Sequence, residues 1–239
     1  MSEWKLKRFW KEASADAEAG ESGFRILLDG RAVRTPAKAL LAVPTPEMAS
    51  AIAAEWNAQE KEIDPRVMPM TRAANAAIDK VAAQHAEVVA MLAAYAETDL
   101  LCHRADAPQR LVDQQNKGWN PILSWAEATY SAPLVVVSGI LPAVQPPASL
   151  AAYADAVAAF QPFSLTALHD LITLSGSLVL GLSVANGQVA PITAWKLSRI
   201  DEDWQIAQWG EDEEATEAVE IKRAAFLHAA SFLGLAQGR

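Results

Sequence analysis

At Pro44 the apolar period of this chain changes, and the change constrains the fold more than any other feature. Before it, apolar residues alternate or form short blocks bounded by turn residues. After it they recur at steps of three and four, so strands precede helices. The residues Phe24-Arg25-Ile26-Leu27-Leu28 read as a strand, and Arg31-Ala32-Val33-Arg34 as its return. Asp29-Gly30 between them is a tight hairpin signal, because both central residues of such a turn need positive φ. A third strand is expected over 38–43, an edge strand over 4–11, and a loop over 13–23. Thr45 with Pro46 behind it forms an N-cap followed by a proline at the first helical position. Met48, Ile52, Trp56, Gln59 and Ile63 carry the helical spacing onward.

The pattern predicts an α+β chain. A small β-rich N-terminal domain of hairpins, 1–44, precedes a larger multihelical domain, 45–239, expected to be an orthogonal bundle. Asp64-Pro65 stops the first helix, and Met68-Pro69-Met70-Thr71 opens the next, expected from 72 to about 101 with room for a break. Further helices are expected over 111–130, with Pro121 at a kink or join, and over 148–160. One capped by Ser164 is expected to run to Val184, followed by others over 191–209 and 211–235. Leu134-Val135-Val136-Val137 has strand chemistry among helices and is expected to be an extended connector.

Hydrophobic residues make up 51% of the 239, and the formal net charge is -9. The first figure supports a packed core. The second argues against a nucleic-acid or anionic-membrane partner, which would call for clustered Lys and Arg. Cys102 is the single cysteine, so no internal disulfide forms and a reducing compartment is expected. Residues 1–10 carry neither an apolar signal core nor an amphipathic presequence. The apolar run 171–185 is interrupted by Ser175, Gly176, Ser177, Gly181 and Ser183 and is too short for a bilayer. The expectation is a bacterial cytoplasmic monomer without membrane insertion.

Catalytic chemistry is sparse. There is no phosphate-cradling glycine loop and no dinucleotide fingerprint. His85, His103, His169 and His228 are scattered without metal-ligand spacing, so neither cofactor nor metal is expected. His169-Asp170 near Ser175 and Ser177 raises a hydrolase reading, but no nucleophile elbow accompanies it. Gly176 and Gly181 are read as close-packing glycines in an apolar helix, and Cys102 as a structural thiol. Asp99 is either a buried cap or a functional acid.

The richest segment is 201–220. It contains Asp201, Glu202, Asp203, Glu211, Asp212, Glu213, Glu214, Glu217 and Glu220 and no Lys or Arg, so it holds the charge of the whole chain, -9. Trp204, Ile206 and Trp209 are interleaved with these acids. On one continuous helix, Leu197, Ile200, Trp204 and Ala207 make one stripe, and Trp195, Glu202, Ile206 and Trp209 a second. Two readings stay open. In one, the tryptophans are core and the acids a solvated face. In the other, Glu202, Trp204, Trp209, Glu211, Asp212, Glu213 and Glu214 form an apolar patch rimmed by acids for a basic partner surface.

A series of motifs runs along nearly the whole chain: Leu28-Asp29-Gly30-Arg31 with Thr35-Pro36; Glu55-Trp56; Met68-Pro69-Met70-Thr71 leading to Ala77-Ile78-Asp79; Thr98-Asp99-Leu100-Leu101-Cys102-His103-Arg104-Ala105; Trp119-Asn120-Pro121; Leu174-Ser175-Gly176-Ser177; and Ala194-Trp195 through Asp201-Glu202-Asp203-Trp204-Gln205 to Trp209-Gly210. In order and spacing the chain resembles the assembly chaperones specific for the α subunit of the F-type ATP synthase, found in mitochondria and α-proteobacteria. The resemblance implies a small β-rich domain followed by a helical one. It also implies binding to the free α subunit until a β subunit replaces the chaperone, with no catalytic residues, and a mitochondrial matrix location for the eukaryotic members. The rival functions are a small-molecule hydrolase around His169 and an interaction module for another protein.

Overall fold

Asp29 and Gly30 both take positive φ, 47° and 78°, and close the expected hairpin. The computed structural model describes residues 7–16, 23–139, 144–210 and 213–239. Its first strand, β1 (Ala13–Ala15), lies where a loop was expected. Alanine and serine are weak strand formers, so partners hold this segment extended. β1 pairs antiparallel with β2 (Phe24–Leu28), placing Ala13 opposite Leu28. The amide of Asn57 donates to the Ala13 carbonyl and accepts from its N–H, both at 2.7 Å. β3 (Arg31–Ala32) pairs with the end of β2 and β4 (Ala42–Val43) with its start. The expected third strand is thus reduced to two residues, preceded by a bridge between Arg34 and Leu40. Of the expected edge strand, residues 4–6 lie outside the described residues, and Lys7 makes an isolated bridge to Glu62.

Secondary structure switches to helix between Val43 and Pro46. α1 (Pro46–Asn57) is capped by the Thr45 hydroxyl, which accepts from Met48 N–H. α2 (Pro69–Ala76) gets no cap from its own N-cap side chain. The carboxylate of Glu55 supplies it across space, accepting from Met70 N–H at 2.6 Å and Thr71 N–H at 2.8 Å, with its charge at the positive helix end. The Asp79 carboxylate accepts from the Thr35 hydroxyl and the Ala37 N–H. Several motif residues are therefore side-chain staples of the backbone.

The long helix expected from 72 is broken. After α2 come a π-helical turn (Ala77–Val81), α3 (His85–Ala93) and two 3-10 turns (Ala94–Thr98, Leu100–Cys102). β5 (His103–Arg104) then pairs in parallel with β6 (Val137–Ser138), a short strand within the expected connector. α4 (Gln109–Tyr130) contains Pro121, and α5 (Pro147–Ala158) follows. The apolar run from 162 splits into α6 (Pro162–Ser175) and α7 (Leu178–Ala185), because Gly176 is left-handed at φ 71°. The N-cap of α6 is Gln161, not Ser164. The segment 191–209 likewise divides, into α8 (Pro191–Ser198) and α9 (Ile200–Trp209), and α10 (Glu213–Ala236) ends the chain.

The fold class is α+β: a small antiparallel strand region followed by a multihelical part. Among the described residues the chain forms two compact units. The first takes residues up to His85 with Pro162–Ala167 and Ser231–Arg239, the second Ala86–Gln161 with Leu168–Ala230. In the first, Ile26, Leu41, Val43, Met48 and Ile52 are fully buried, and Trp10 meets Trp56 edge-on at 5.1 Å. In the second the core runs through Leu101, Trp119, Tyr153, Ile172 and Phe226.

Candidate functional site

The second unit positions its candidate surface on α4. Leu111, Gln115, Trp119, Ile122 and Ala126 are its buried residues, at steps of three and four along one face. The Trp119 indole N–H donates to the Leu197 carbonyl at 2.8 Å, and the Gln115 amide donates to the Asp201 carboxylate at 2.6 Å. These bonds fix α8 and the first turn of α9 against α4. Gly118 leaves room for the approach: a Cβ there would lie 2.8 Å from Leu197 Cδ2, a side-chain end that would have to move. Arg104 is buried and stacks over the Trp119 ring at 5.0 Å. Its guanidinium donates to the Leu101 carbonyl and to Asn116 and Asn120, and burial lowers its pKa.

At Arg199 the backbone leaves helical geometry (φ -109°, ψ 8°), so the two sequence stripes do not share one straight helix. Trp195, on α8, is buried; Trp204, on α9, is half-buried; Trp209 is 82% exposed. No residue of α9 is buried, and Asp201, Glu202 and Asp203 occupy its first turn. The reading in which both tryptophans are core does not describe this helix. Trp204 stands between two clefts. One, of ≈ 420 Å³, is lined by Arg104, Gln115, Asp201 and Trp209; the other, of ≈ 640 Å³, lies along α4 and the α8–α9 corner. Glu202 is exposed and faces a third cleft of ≈ 380 Å³ with Arg199 and Lys222.

The structure thus brings Glu202, Trp204 and Trp209 onto one exposed helix. Glu213 and Glu214 are the first two positions of α10, while Glu211 and Asp212 lie outside the described residues. Sequence reasoning missed Arg104 and Gln115, whose roles depend on partners far along the chain. The recurrence of Arg110, Gln114, Lys117 and Gly118 at helical steps was the available signal for the larger cleft.

The residues behind the hydrolase reading are engaged elsewhere. The Ser175 hydroxyl donates to the Leu171 carbonyl at 2.6 Å, a bond along its own helix. The Ser177 hydroxyl donates to Asp99 and accepts from Leu180 N–H. His169 meets Asp170 at 2.8 Å, and among the described residues no hydrogen bond joins it to either serine. Asp99 is the buried cap: it accepts from Leu101 N–H, Val179 N–H and Ser177, and burial raises its pKa. Burial also pushes the Cys102 thiol up to about 12, which leaves it unreactive. Among the described residues no group of three or more His, Cys, Asp or Glu could hold a metal ion, and no described helix is long and apolar enough to cross a membrane.

Residues 7–127 match the family described as ATP12 chaperone protein. The mitochondrial protein atp12 of Schizosaccharomyces pombe is 22% identical over 224 residues, covering 89% of this chain and 76% of its own length. The crystal structure of Atp12 from Paracoccus denitrificans is 47% identical, with a TM-score of 0.94 over 98% of this chain and 100% of that one. A solved structure from Agrobacterium tumefaciens is 39% identical, with a TM-score of 0.88 over 95% of this chain and 84% of its own.

Proposed function

The chain belongs to the ATP12 chaperone family and is an ATP synthase assembly chaperone; from that premise we propose that it holds the unassembled α subunit of the F-type enzyme until a β subunit takes its place. The observation that carries the reading is α9, a helix with no buried residue, with three acids in its first turn and Trp209, 82% exposed, at its last position. An exposed aromatic patch with a charged rim is the anatomy of a protein-binding surface. Burying one such side chain contributes on the order of 3 kcal/mol, while the acids steer and orient a basic partner. An isolated α subunit exposes the surface that β would cover, and an uncovered apolar interface aggregates. A holder that must also let go needs moderate affinity with a large electrostatic share.

In this reading Glu202, Trp204, Trp209, Glu211, Asp212, Glu213 and Glu214 contact the client. The protein acts as a monomer in a bacterial cytoplasm and makes and breaks no bond. The test dilutes denatured α subunit into buffer with and without this chain and follows light scattering. Suppressed scattering is expected; equal aggregation in both samples overturns the assignment. Reversing the charges of Glu211, Glu213 and Glu214 is expected to weaken capture and flatten its salt dependence. Unchanged capture would remove those three from the surface and leave the client assignment standing.

A further inference from the structure

The larger cleft has a charge opposite to that of the chain around it. Arg110 and Lys117 on α4 and Lys196 on α8 line it, all three exposed. None has an ion-pair partner among the described residues. Asp203 also lines it but is held by Arg199 at 3.4 Å. The floor is apolar: Gly118, Leu197, Ile200 and Trp204. Three cations against one paired carboxylate, over an apolar floor, give this cleft a local charge opposite to the net -9 of the protein.

Resting on the client reading above, we propose that this groove seats an acidic amphipathic helix of the client, apolar residues down and carboxylates toward Arg110, Lys117 and Lys196. The two α4 cations are seven residues apart, about 10 Å along the helix. Carboxylates two turns apart on a docked helix match that spacing, and apolar anchors between them meet Ile200 and Trp204. Gly118 keeps the floor low. A long polyanion such as nucleic acid would meet the net negative charge of the whole chain; a short acidic segment meets chiefly the local field. The protein then meets its client through the acids Asp201 and Glu202 and through the three cations of this groove, and the pairing fixes the direction in which the client lies.

The experiment uses the full chain and two labelled synthetic 14-residue peptides. Both place Leu and Phe at helical spacing; one carries Glu at its polar positions and the other Lys. Fluorescence anisotropy is read for the wild type, for the triple variant Arg110→Glu, Lys117→Glu, Lys196→Glu, and for the corresponding triple Gln variant. The altered side chains are exposed, so the fold is expected to persist, and circular dichroism checks it. The Glu peptide should bind the wild type with an affinity that falls as salt rises. It should bind the Glu variant at least tenfold more weakly, and the Gln variant should lose most of the salt dependence. A Glu peptide that fails to bind the wild type, or binds all three proteins alike, overturns the groove. The same proteins are then tried on denatured α subunit. A wild type that leaves it aggregating defeats the client reading itself. A wild type and a Glu variant that protect it equally, with the same salt dependence, defeat the groove alone.

Discussion

α7 and α9 are short helices of the same unit that treat their apolar side chains in opposite ways. All eight residues of α7 are buried, including Ser183 and Gly181. None of the ten residues of α9 is buried, although it contains two tryptophans and two isoleucines. α7 has its partners within the unit: its N-terminus is capped by Ser177 and Asp99, and Gly181 lets it approach Ile172. α9 is anchored through Asp201 at its start and exposes its other end. Apolar surface that the fold has not used is a solubility liability unless something else covers it. On the proposed function the contrast separates residues that hold the fold from residues that meet the client, and it predicts that substitutions around the two helices will affect different measurements.

The largest effect is expected at Asp99. Alanine there leaves Leu101 N–H, Val179 N–H and the Ser177 hydroxyl without their buried acceptor. Each such loss costs about 1–3 kcal/mol, partly offset by relief of the carboxyl's own burial. A net destabilisation of about 3 kcal/mol is expected, read from the urea midpoint. The wild type should also carry a pH signature. Burial raises the folded pKa of Asp99 above its unfolded value of 3.8. The proton-linked part of its contribution is complete below 3.8 and is lost as pH rises through the folded value, so the alanine comparison is made below that value. The alanine variant lacks that slope. Equal stability and equal pH profiles in the two proteins would mean that α7 is not held by this cap.

A smaller effect is expected for Gly181→Ala. The new Cβ would lie 2.6 Å from Ile172 Cγ1 and 3.4 Å from Ile172 N, so α6 or α7 must shift. Overpacking costs about 1–3 kcal/mol, and replacing a mid-helix glycine returns about 1 kcal/mol. The net expectation is a loss of about 1 kcal/mol with client capture unchanged. A gain in stability would show that the two helices have room to part.

These helices also mark where the sequence could be read. The Asp29-Gly30 turn and the Thr45-Pro46 start were legible because a few adjacent residues decide them. The acids and tryptophans of α9 were legible as a composition. The breaks at Gly176 and Arg199 were not, because an apolar run keeps its hydrophobicity through a change of helix axis. Gly176 and Gly181 look alike in sequence; one ends a helix with positive φ and the other makes room for Ile172. Arg110 and Lys117 read as any solvated helix face until Lys196, some eighty residues on, is brought beside them. Long-range closure sets the clefts, and local periodicity does not carry it.

The smallest effect on stability is expected at Trp209. Trp209 is the last residue of α9, 82% exposed, with Gly210 ending the helix behind it. Truncation to alanine removes little that is buried and improves helix propensity slightly. The unfolding free energy should therefore change by no more than about 0.5 kcal/mol. Capture of the α subunit should weaken roughly tenfold, about 1.4 kcal/mol, the range of an aromatic anchor at an interface. A substantial fall in stability would place Trp209 among the residues that hold the fold and erase the difference between α7 and α9. Unchanged stability with unchanged capture would keep the difference but move the client surface off the exposed end of α9.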